Sequence, residues 1–448
     1  MTTLTTEGPS SLRQGLREGK VWPTWRKIAF RFAFIYIVLY TTPWALATSS
    51  IPGLPNIWQW YDDSWSWTVG FFNKHYFQVA KDLVPFNGSG DTSFGWAQLW
   101  FMLCFCVLGT AIWSVIDNKR KNYEVIDYWL RISVRYYISF FCFTYGIIKI
   151  FAMQMWFPSL SQLATPLGDY LPMRLSWMFI GYSTPYQVFS GIMETIAGLL
   201  LLNRKTVTLG LITATGVFIH VFVLNMAYDI PVKLFSFHLL IFCLYLLSYE
   251  LKRLTDFFIL NRVTSPDTFF NVELRKKWMR YARVVAKLAF FVLAFVVPLF
   301  NTYEYYKTRE ARAELKPIKS GVYDVDLYVV NNKDTIPPLI NDKYRWNDVI
   351  LDIGGEGSMK NVETLFHERY GRTYFSYKPD TVRGVIEFRN LAWDSLPALT
   401  MKYKLPDQNT IQLWSKYRND SVFMQLRLTG RHFQLAEKQF HWLSEYNR

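Results

Sequence analysis

"TYGIIKI" (Thr144–Ile150), "METIAGLLLLNRKT" (Met193–Thr206) and "HVFVLNMAYDIPVKLFSFH" (His220–His238) decide how this chain is read. Each is an apolar run broken by a residue that apolar surroundings penalise. Lys149, Glu194, His220 and His238 sit among Ile, Leu, Val and Phe, with Tyr145, Asn225, Asp229 and Lys233 close by in sequence. Runs of this kind form membrane helices, where ionisable groups are costly and each is a functional candidate.

The rest of the chain supports that reading. It has 448 residues, of which 51% are hydrophobic and 18% aromatic, too apolar for one ordinary soluble domain. The apolar residues come in blocks of about twenty, the length that spans a hydrocarbon core of roughly 30 Å. Seven such blocks are expected as spans: 28–48, 97–116, 135–157, 186–202, 207–227, 232–250 and 285–304. The fourth is short, and "LSWMFIGYS" before it would lengthen it. Residues 1–27 form a polar tail, 28–305 a multi-span membrane domain, and 320–448 a β-rich domain.

A net charge of +14 suggests nucleic acid, but the charges sort by membrane side instead. Arg13, Arg17, Lys20, Arg26 and Lys27 precede the first block, Lys119, Arg120, Lys121 and Arg131 follow the second, and Arg204 and Lys205 follow the fourth. Eight further Lys and Arg, from Lys252 to Arg283, lie between the sixth and seventh. The opposite loops hold only Lys74, Lys81 and Arg174. The positive-inside rule then places the N-terminus in the cytoplasm and the C-terminus outside. The expected location is a bacterial inner membrane, with the C-terminal domain in the periplasm. Membrane lipids are the expected surroundings, and nucleic acid is not an expected partner. "ALATSS" at 45–50 resembles a cleavage site, but the run before it is long and carries Arg31, so an uncleaved span is preferred.

Cys104, Cys106, Cys142 and Cys243 all fall in expected spans, with no CxxC spacing, and read as small buried hydrophobes. The loop over 49–96 is dense in tryptophan (Trp58, Trp60, Trp65, Trp67, Trp96) and reads as amphipathic segments in the interface. "NGSGDT" (Asn87–Thr92) reads as an ordinary turn before a helix, with an anion-cradling turn as the alternative. "FPSLSQLATPLGDYLPMRLSWMFIGYSTPY" holds four prolines and fragments too short to span, and reads as a re-entrant or surface cap.

From Gly321 the period becomes two. "GVYDVDLYVVN", "RWNDVILDI", "TYFSYK", "VRGVIEFR", "LTMKYKL", "TIQLWSK" and "SVFMQLRL" read as short antiparallel strands of a sandwich or an up-and-down barrel, separated by turns such as "KPD", "LPDQN" and "YRND". "FQLAEKQFHWLSEYNR" is ambiguous between strand and helix.

Depth turns the polar residues of the spans into a constellation. Lys149 and Glu194 each lie eight residues from the outer end of their blocks, about 12 Å deep at the helical rise. An ion pair between them is geometrically allowed. His220 and His238 lie at about 10 Å by the same measure, with Asn225, Asp229 and Lys233 at the rim. Two readings follow: a pair that neutralises itself and fixes helix register, or a pocket open to the outer leaflet. Two histidines on different helices, without ExxH or HxxxH spacing, do not point to a metal. No Ser-His-Asp arrangement or Gly-rich nucleotide motif stands out, so no reaction is stated.

These residues resemble the DoxX-like family of membrane proteins over about 135–250. Gly146 and Lys149 match its "G..K" element, and Glu194, Gly198, Leu199–Leu201, Arg204 and Thr206 match its "E...G.LLL" and basic turn. The resemblance is to a long seven-span branch with a C-terminal β domain. It implies a four-helix membrane core and, from members similar to a thiosulfate:quinone oxidoreductase subunit, a quinone-linked role. A quinone or other lipid-like ligand over Tyr145, Lys149 and Glu194, with His220, Asn225, Asp229, Lys233 and His238 at the wall and rim, is the leading expectation. One alternative is a non-enzymatic envelope scaffold whose β domain binds a protein partner. Another, at the level of architecture, is an enzyme similar to the vitamin K-dependent carboxylases, with Lys149 as a base.

Overall fold

The computed structural model describes residues 21–41, 59–85, 91–264, 276–310, 317–332, 334–336, 345–360, 370–391, 398–417, 420–437, 442 and 445. The expectations for Trp58, for "ALATSS", for most of "NGSGDT" and for Arg13, Arg17 and Lys20 lie outside them. The chain falls into two compact units. One joins Met1–Ile147 to Ser190–Pro298, and the other joins Ile148–Phe189 to Leu299–Arg448.

The first unit is helical. In chain order it holds α1 (Thr24–Thr41), α2 (Gln59–Phe72), α3 (Ser93–Ile116) and α4 (Glu124–Ile150), whose last turn passes into the other unit. Two short helices of the second unit come next, α5 (Leu160–Leu163) and α6 (Pro172–Tyr182). Then follow α7 (Thr184–Leu202), which starts in the second unit, α8 (Val207–Ala227), α9 (Lys233–Ser248), α10 (Leu251–Phe258), α11 (Lys277–Phe291) and α12 (Val297–Glu310), which passes into the second unit after Pro298. Among the described residues four helices, with α11 and α12 counted as one, are long and apolar enough to cross a membrane, or five if the bent α9–α10 pair is one span. The expected count of seven also needs α1 and α4. They fall short on composition, since α1 carries Arg26, Lys27 and Arg31 and α4 carries Arg131, Arg135 and Lys149. The surfaces of the apolar helices fit a lipid solvent: Val115 is 75% exposed, Val285 64% and Leu293 68%.

Several boundaries follow from local chemistry. "LSWMFIGYS" does not lengthen the fourth block: Ser183 leaves helical geometry between α6 and α7. Between α9 and α10 the chain bends by 77°. Between α11 and α12 the helix continues through a wide turn at Val292–Val296. Pro298 has no amide for the carbonyl of Ala294, and the wider turn takes up the clash. In the tryptophan-rich loop, α2 packs Val69 and Trp65 against Phe94, Ala97 and Phe101 of α3, while Trp60 and Trp67 stay exposed.

The main core draws on α1, α4, α7, α8 and α9. Two of its helices, α4 and α7, approach closely. A side chain at Gly146 would come within 2.9 Å of the carbonyl of Gly191 and 3.0 Å of the amide of Thr195. Ser139 donates to the carbonyl of Gly198 at 2.9 Å. Gly146 and Gly198, two residues of the family-like motif, are therefore where small size lets two helices touch.

In the second unit, strands β1 (Gly321–Val330), β3 (Asp348–Leu351), β4 (Glu356–Lys360), β5 (Thr373–Asp380), β6 (Val385–Asn390), β7 (Leu399–Lys404), β8 (Thr410–Tyr417) and β9 (Asp420–Leu428) form an antiparallel meander, closed by β1 on β9. A two-residue β2 (Asp334–Thr335) folds back on β1. Of the two expected β architectures, the closed up-and-down barrel is the one found. Its interior is packed with Tyr323, Val325, Tyr328, Leu351, Phe375, Phe388, Met401, Leu413 and Met424, as small eight-stranded barrels are. A register shift between Val325 and Leu327 changes which residues of β1 face inward, so Tyr323 and Val325 are followed inward by Tyr328.

One expected turn is a strand: "KPD" continues β5, where Lys378, Pro379 and Asp380 pair with Glu387, Ile386 and Val385. Pro379 lies beyond the end of β4, on the side where its missing amide leaves no ladder bond open. The turn comes next, where Asp380 Oδ1 accepts from the amides of Val382 and Arg383 and Gly384 takes φ +64°. The C-terminal ambiguity resolves to a short helix at Gln434–Glu437 within the described residues.

Candidate functional site

The rim of the expected pocket is a helix–helix corner. Asn225, buried at the end of α8, donates through Nδ2 to Val232 O at 3.3 Å and to Ser236 Oγ at 3.0 Å. Asp229 takes φ +50°, and its exposed carboxylate meets Lys233 Nζ at 2.7 Å. The free amides at the start of α9 are met from far away in sequence. Asp91 accepts from the amides of Lys233 at 2.6 Å and Leu234 at 2.9 Å, where a carboxylate also suits the positive end of the helix. Asn225, Asp229 and Lys233 thus have work to do in holding the α8–α9 corner.

Below the rim, His238 is 2% exposed. Its Nδ1 lies 2.6 Å from the carbonyl of Leu234, which can only accept, so in the neutral ring Nδ1 carries the proton. Nε2 then accepts from the Tyr36 hydroxyl at 2.6 Å. The imidazole stacks on Tyr40, with centroids 3.9 Å apart, and Tyr40 meets Phe242 edge-on. Phe32, Tyr36 and Tyr40 stack in succession along α1, one helical turn apart.

Tyr145 stacks on Phe141 and packs on Phe235. It lies within electrostatic range of Glu194, and Tyr40 within range of Tyr36, Tyr137, Tyr145 and Asp91. Glu194 is 2% exposed on α7. These residues come together in the helical unit. Lys149 is also buried, on the last turn of α4, but falls in the second unit. His220 is on the exposed side of α8 while Leu211, Ala214 and Phe218 face the core, so it forms no part of the wall. Its spacing of two from Phe218 turns it away from the buried stripe.

The sequence reading passed over Tyr36, Tyr40 and Asp91. Three aromatic residues at intervals of four inside an apolar helix were the available signal for the first two. Asp91 carried none, because its partners are more than 140 positions away. Arg31 likewise has a structural role: it is buried and donates to Tyr123 Oη at 2.9 Å, Ser114 Oγ at 2.8 Å and the carbonyl of Asp117 at 2.7 Å, closing the C-terminal end of α3.

The cap-like segment belongs to the barrel's unit. Asp352 accepts from the amide of Ser161 at 3.1 Å, at the start of α5, and Ser358 Oγ donates to Ser161 Oγ at 2.7 Å. Arg372 donates to Ser358 Oγ at 2.7 Å and forms a two-toothed pair with Asp348. Arg174 Nε reaches Tyr370 Oη at 3.2 Å. Burial pushes the Asp352 carboxyl above the usual carboxylate value, against the opposing pull of its hydrogen bonds from α5.

In the helical unit the collected groups are phenols, one imidazole and one carboxylate. They can donate to carbonyl oxygens, stack on a planar ring and relay a proton. Among the described residues no three His, Cys, Asp or Glu come together as metal ligands.

No family model matches the chain, and no solved structure matches it. It is 29% identical over 127 residues to an uncharacterized protein, YwoB, of Bacillus subtilis (strain 168), covering 28% of this chain and 80% of that protein.

Proposed function

We propose that this is a DoxX-like, multi-pass protein of a bacterial inner membrane that holds a quinone or another lipid-like molecule in the end of its helical unit that bears Asp91 and Lys233. The observation that carries this reading is the Tyr36–His238–Tyr40 contact, with Tyr137 and Tyr145 within electrostatic range of Tyr40 and Glu194 within that range of Tyr145. A quinone needs donors for two carbonyl oxygens, a flat partner for its ring and an apolar path for its tail. Tyr40 and Tyr145 supply hydroxyls and ring faces. The Tyr36–His238 hydrogen bond is a route for a proton, which gives the site a redox-linked role. In the orientation set by the positive-inside rule, this end of the helical unit faces the periplasm.

The test is chemical. Full-length protein purified in mild detergent should release a quinone or isoprenoid lipid on solvent extraction, read by mass spectrometry, and Glu194→Gln should release less. Equal release from wild type and variant would sink the assignment to this site.

A second reading places the activity on the barrel, as a scaffold that binds an envelope protein. It draws on the packed interior, which leaves the outer surface as the place for recognition. A transplant that tests it must carry 148–189 with the barrel, because Ser161 and Arg174 bond to barrel residues.

A further inference from the structure

At the other end of the helical unit lies a cavity of about 1270 Å³, walled by the start of α4, the α7–α8 turn, the α9–α10 bend and α11. All its lining residues belong to that unit. Among the described residues that line it are seven arginines and lysines and one carboxylate, Glu250. That carboxylate already holds Arg253 at 2.5 Å, and Arg131 is held by Asp127 at 3.1 Å. Arg135, Lys205, Arg283 and Lys287 also line the cavity, with Arg204 beside them. The Nε of Arg135 is buried and has no hydrogen-bond partner among the described residues. A buried guanidinium donor left open is expensive unless something anionic meets it.

The rest of the lining narrows the class of ligand. Trp129 and Trp278 stand 52% and 65% exposed, as indoles do at headgroup depth. Leu211, Leu246 and Phe290 give the cavity an apolar side. The volume exceeds the 300–1,000 Å³ or so typical of small-molecule pockets. A positive mouth, a belt of indoles and an apolar flank match one amphiphile: a phosphate headgroup with acyl chains.

We infer that this cavity binds the phosphate headgroup of an anionic phospholipid, with Arg135 as the inner donor and Arg283 and Lys287 as the rim. A phosphodiester accepts several charge-assisted hydrogen bonds, and arginine meets it in two-toothed fashion. The acyl chains leave along Phe290 and Leu246 toward the lipid-facing surface. The site shares no residue with the tyrosine–histidine cluster, so the two stand or fall separately.

The test uses the full chain in a neutral detergent. Three probes are titrated while thermal unfolding is followed: a short-chain phosphatidylglycerol, the matching phosphatidylcholine, and inorganic phosphate. Phosphatidylglycerol should raise the unfolding temperature saturably, and less so at high salt. Phosphatidylcholine and inorganic phosphate should bind at least tenfold more weakly. Arg135→Gln should weaken phosphatidylglycerol binding. Because a buried change can disturb folding, a second variant combines Arg283→Glu with Lys287→Glu on the accessible side of α11. It should unfold like wild type without lipid and bind phosphatidylglycerol at least tenfold more weakly, the loss of about 1 kcal/mol per surface charge being compounded by reversal. Equal binding of phosphatidylcholine would remove the charge recognition. Equal binding of inorganic phosphate would reassign the cavity to a soluble phosphate compound. A rim variant that binds like wild type would overturn the site.

Discussion

The barrel unit and the basic end of the helical unit both place arginines where water is scarce, and they treat them in opposite ways. In the barrel the terminal nitrogens of Arg372 and Arg345 are met by the chain's own oxygens. Arg372 grips Asp348 and Ser358, and Arg345 donates to the carbonyls of Val325 and Ile336. At the basic end, Arg31 is answered too, by Ser114, Tyr123 and the carbonyl of Asp117. The cavity at that end is answered only in part: among the described residues that line it are seven cationic residues and one acidic one, and the Arg135 Nε meets no hydrogen-bond partner among the described residues. An arginine that the fold has satisfied is architecture. An excess of arginines around a void calls for an external anion.

The comparison breaks most visibly at Arg372. Arg372→Ala should destabilise the barrel unit by about 3 kcal/mol, because it leaves Asp348 and Ser358 without their donor. Denaturant unfolding followed by strand signals checks this. Arg135→Gln should cost the helical unit much less when no lipid is present. If the two cost the same, the distinction between answered and open charge fails.

The tyrosine–histidine cluster stands between these extremes. Tyr36→Phe removes the donor to His238 Nε2 and should cost about 1–3 kcal/mol, as an orphaned buried acceptor does. Thermal unfolding in detergent reads it. A smaller effect follows for Asp91→Ala, which frees two amides at the start of α9 and should cost about 1 kcal/mol, the usual worth of an N-terminal cap.

The smallest effect is a pH dependence at Asp352. Its carboxyl is raised in the folded state, so between the ordinary value near 4 and the raised one the folded chain holds more protons than the unfolded chain. Stability from this group therefore falls as pH rises through that window. Asp352→Asn keeps an oxygen acceptor for the Ser161 amide and should flatten the slope. An unchanged slope in the variant would place the titration elsewhere.

What the sequence revealed, and what it hid, has a physical pattern. Apolar blocks and period-two segments announced a helical part and a β part, because both periodicities are local. Seven of the eight barrel strands were legible that way. β4 was not: its "EGSMK" puts Gly357 where the Phe375 ring packs, within 2.8 Å of where a side chain would begin, so no alternation shows. The polar residues of the spans were legible as a set, but their partners were not. His238 bonds Tyr36 across 202 positions, and Lys233 meets Asp91 across 142. His220 looked equivalent to His238, and helical phase alone set them apart. The attachment of Ser161 to the barrel had no local signal, since it depends on Asp352 and Ser358 almost two hundred residues on.

The central claim is that the Tyr36–Tyr40–Tyr145–His238 cluster, with Glu194, holds a quinone-like head. Its most direct test is a binding titration of a short-tailed quinone to the purified full-length protein, comparing wild type with Glu194→Gln and His238→Phe. The account predicts saturable binding to wild type and a loss of at least about tenfold in each variant that still unfolds cooperatively. Binding of equal strength in folded wild type and folded variants, or none in wild type, would contradict it.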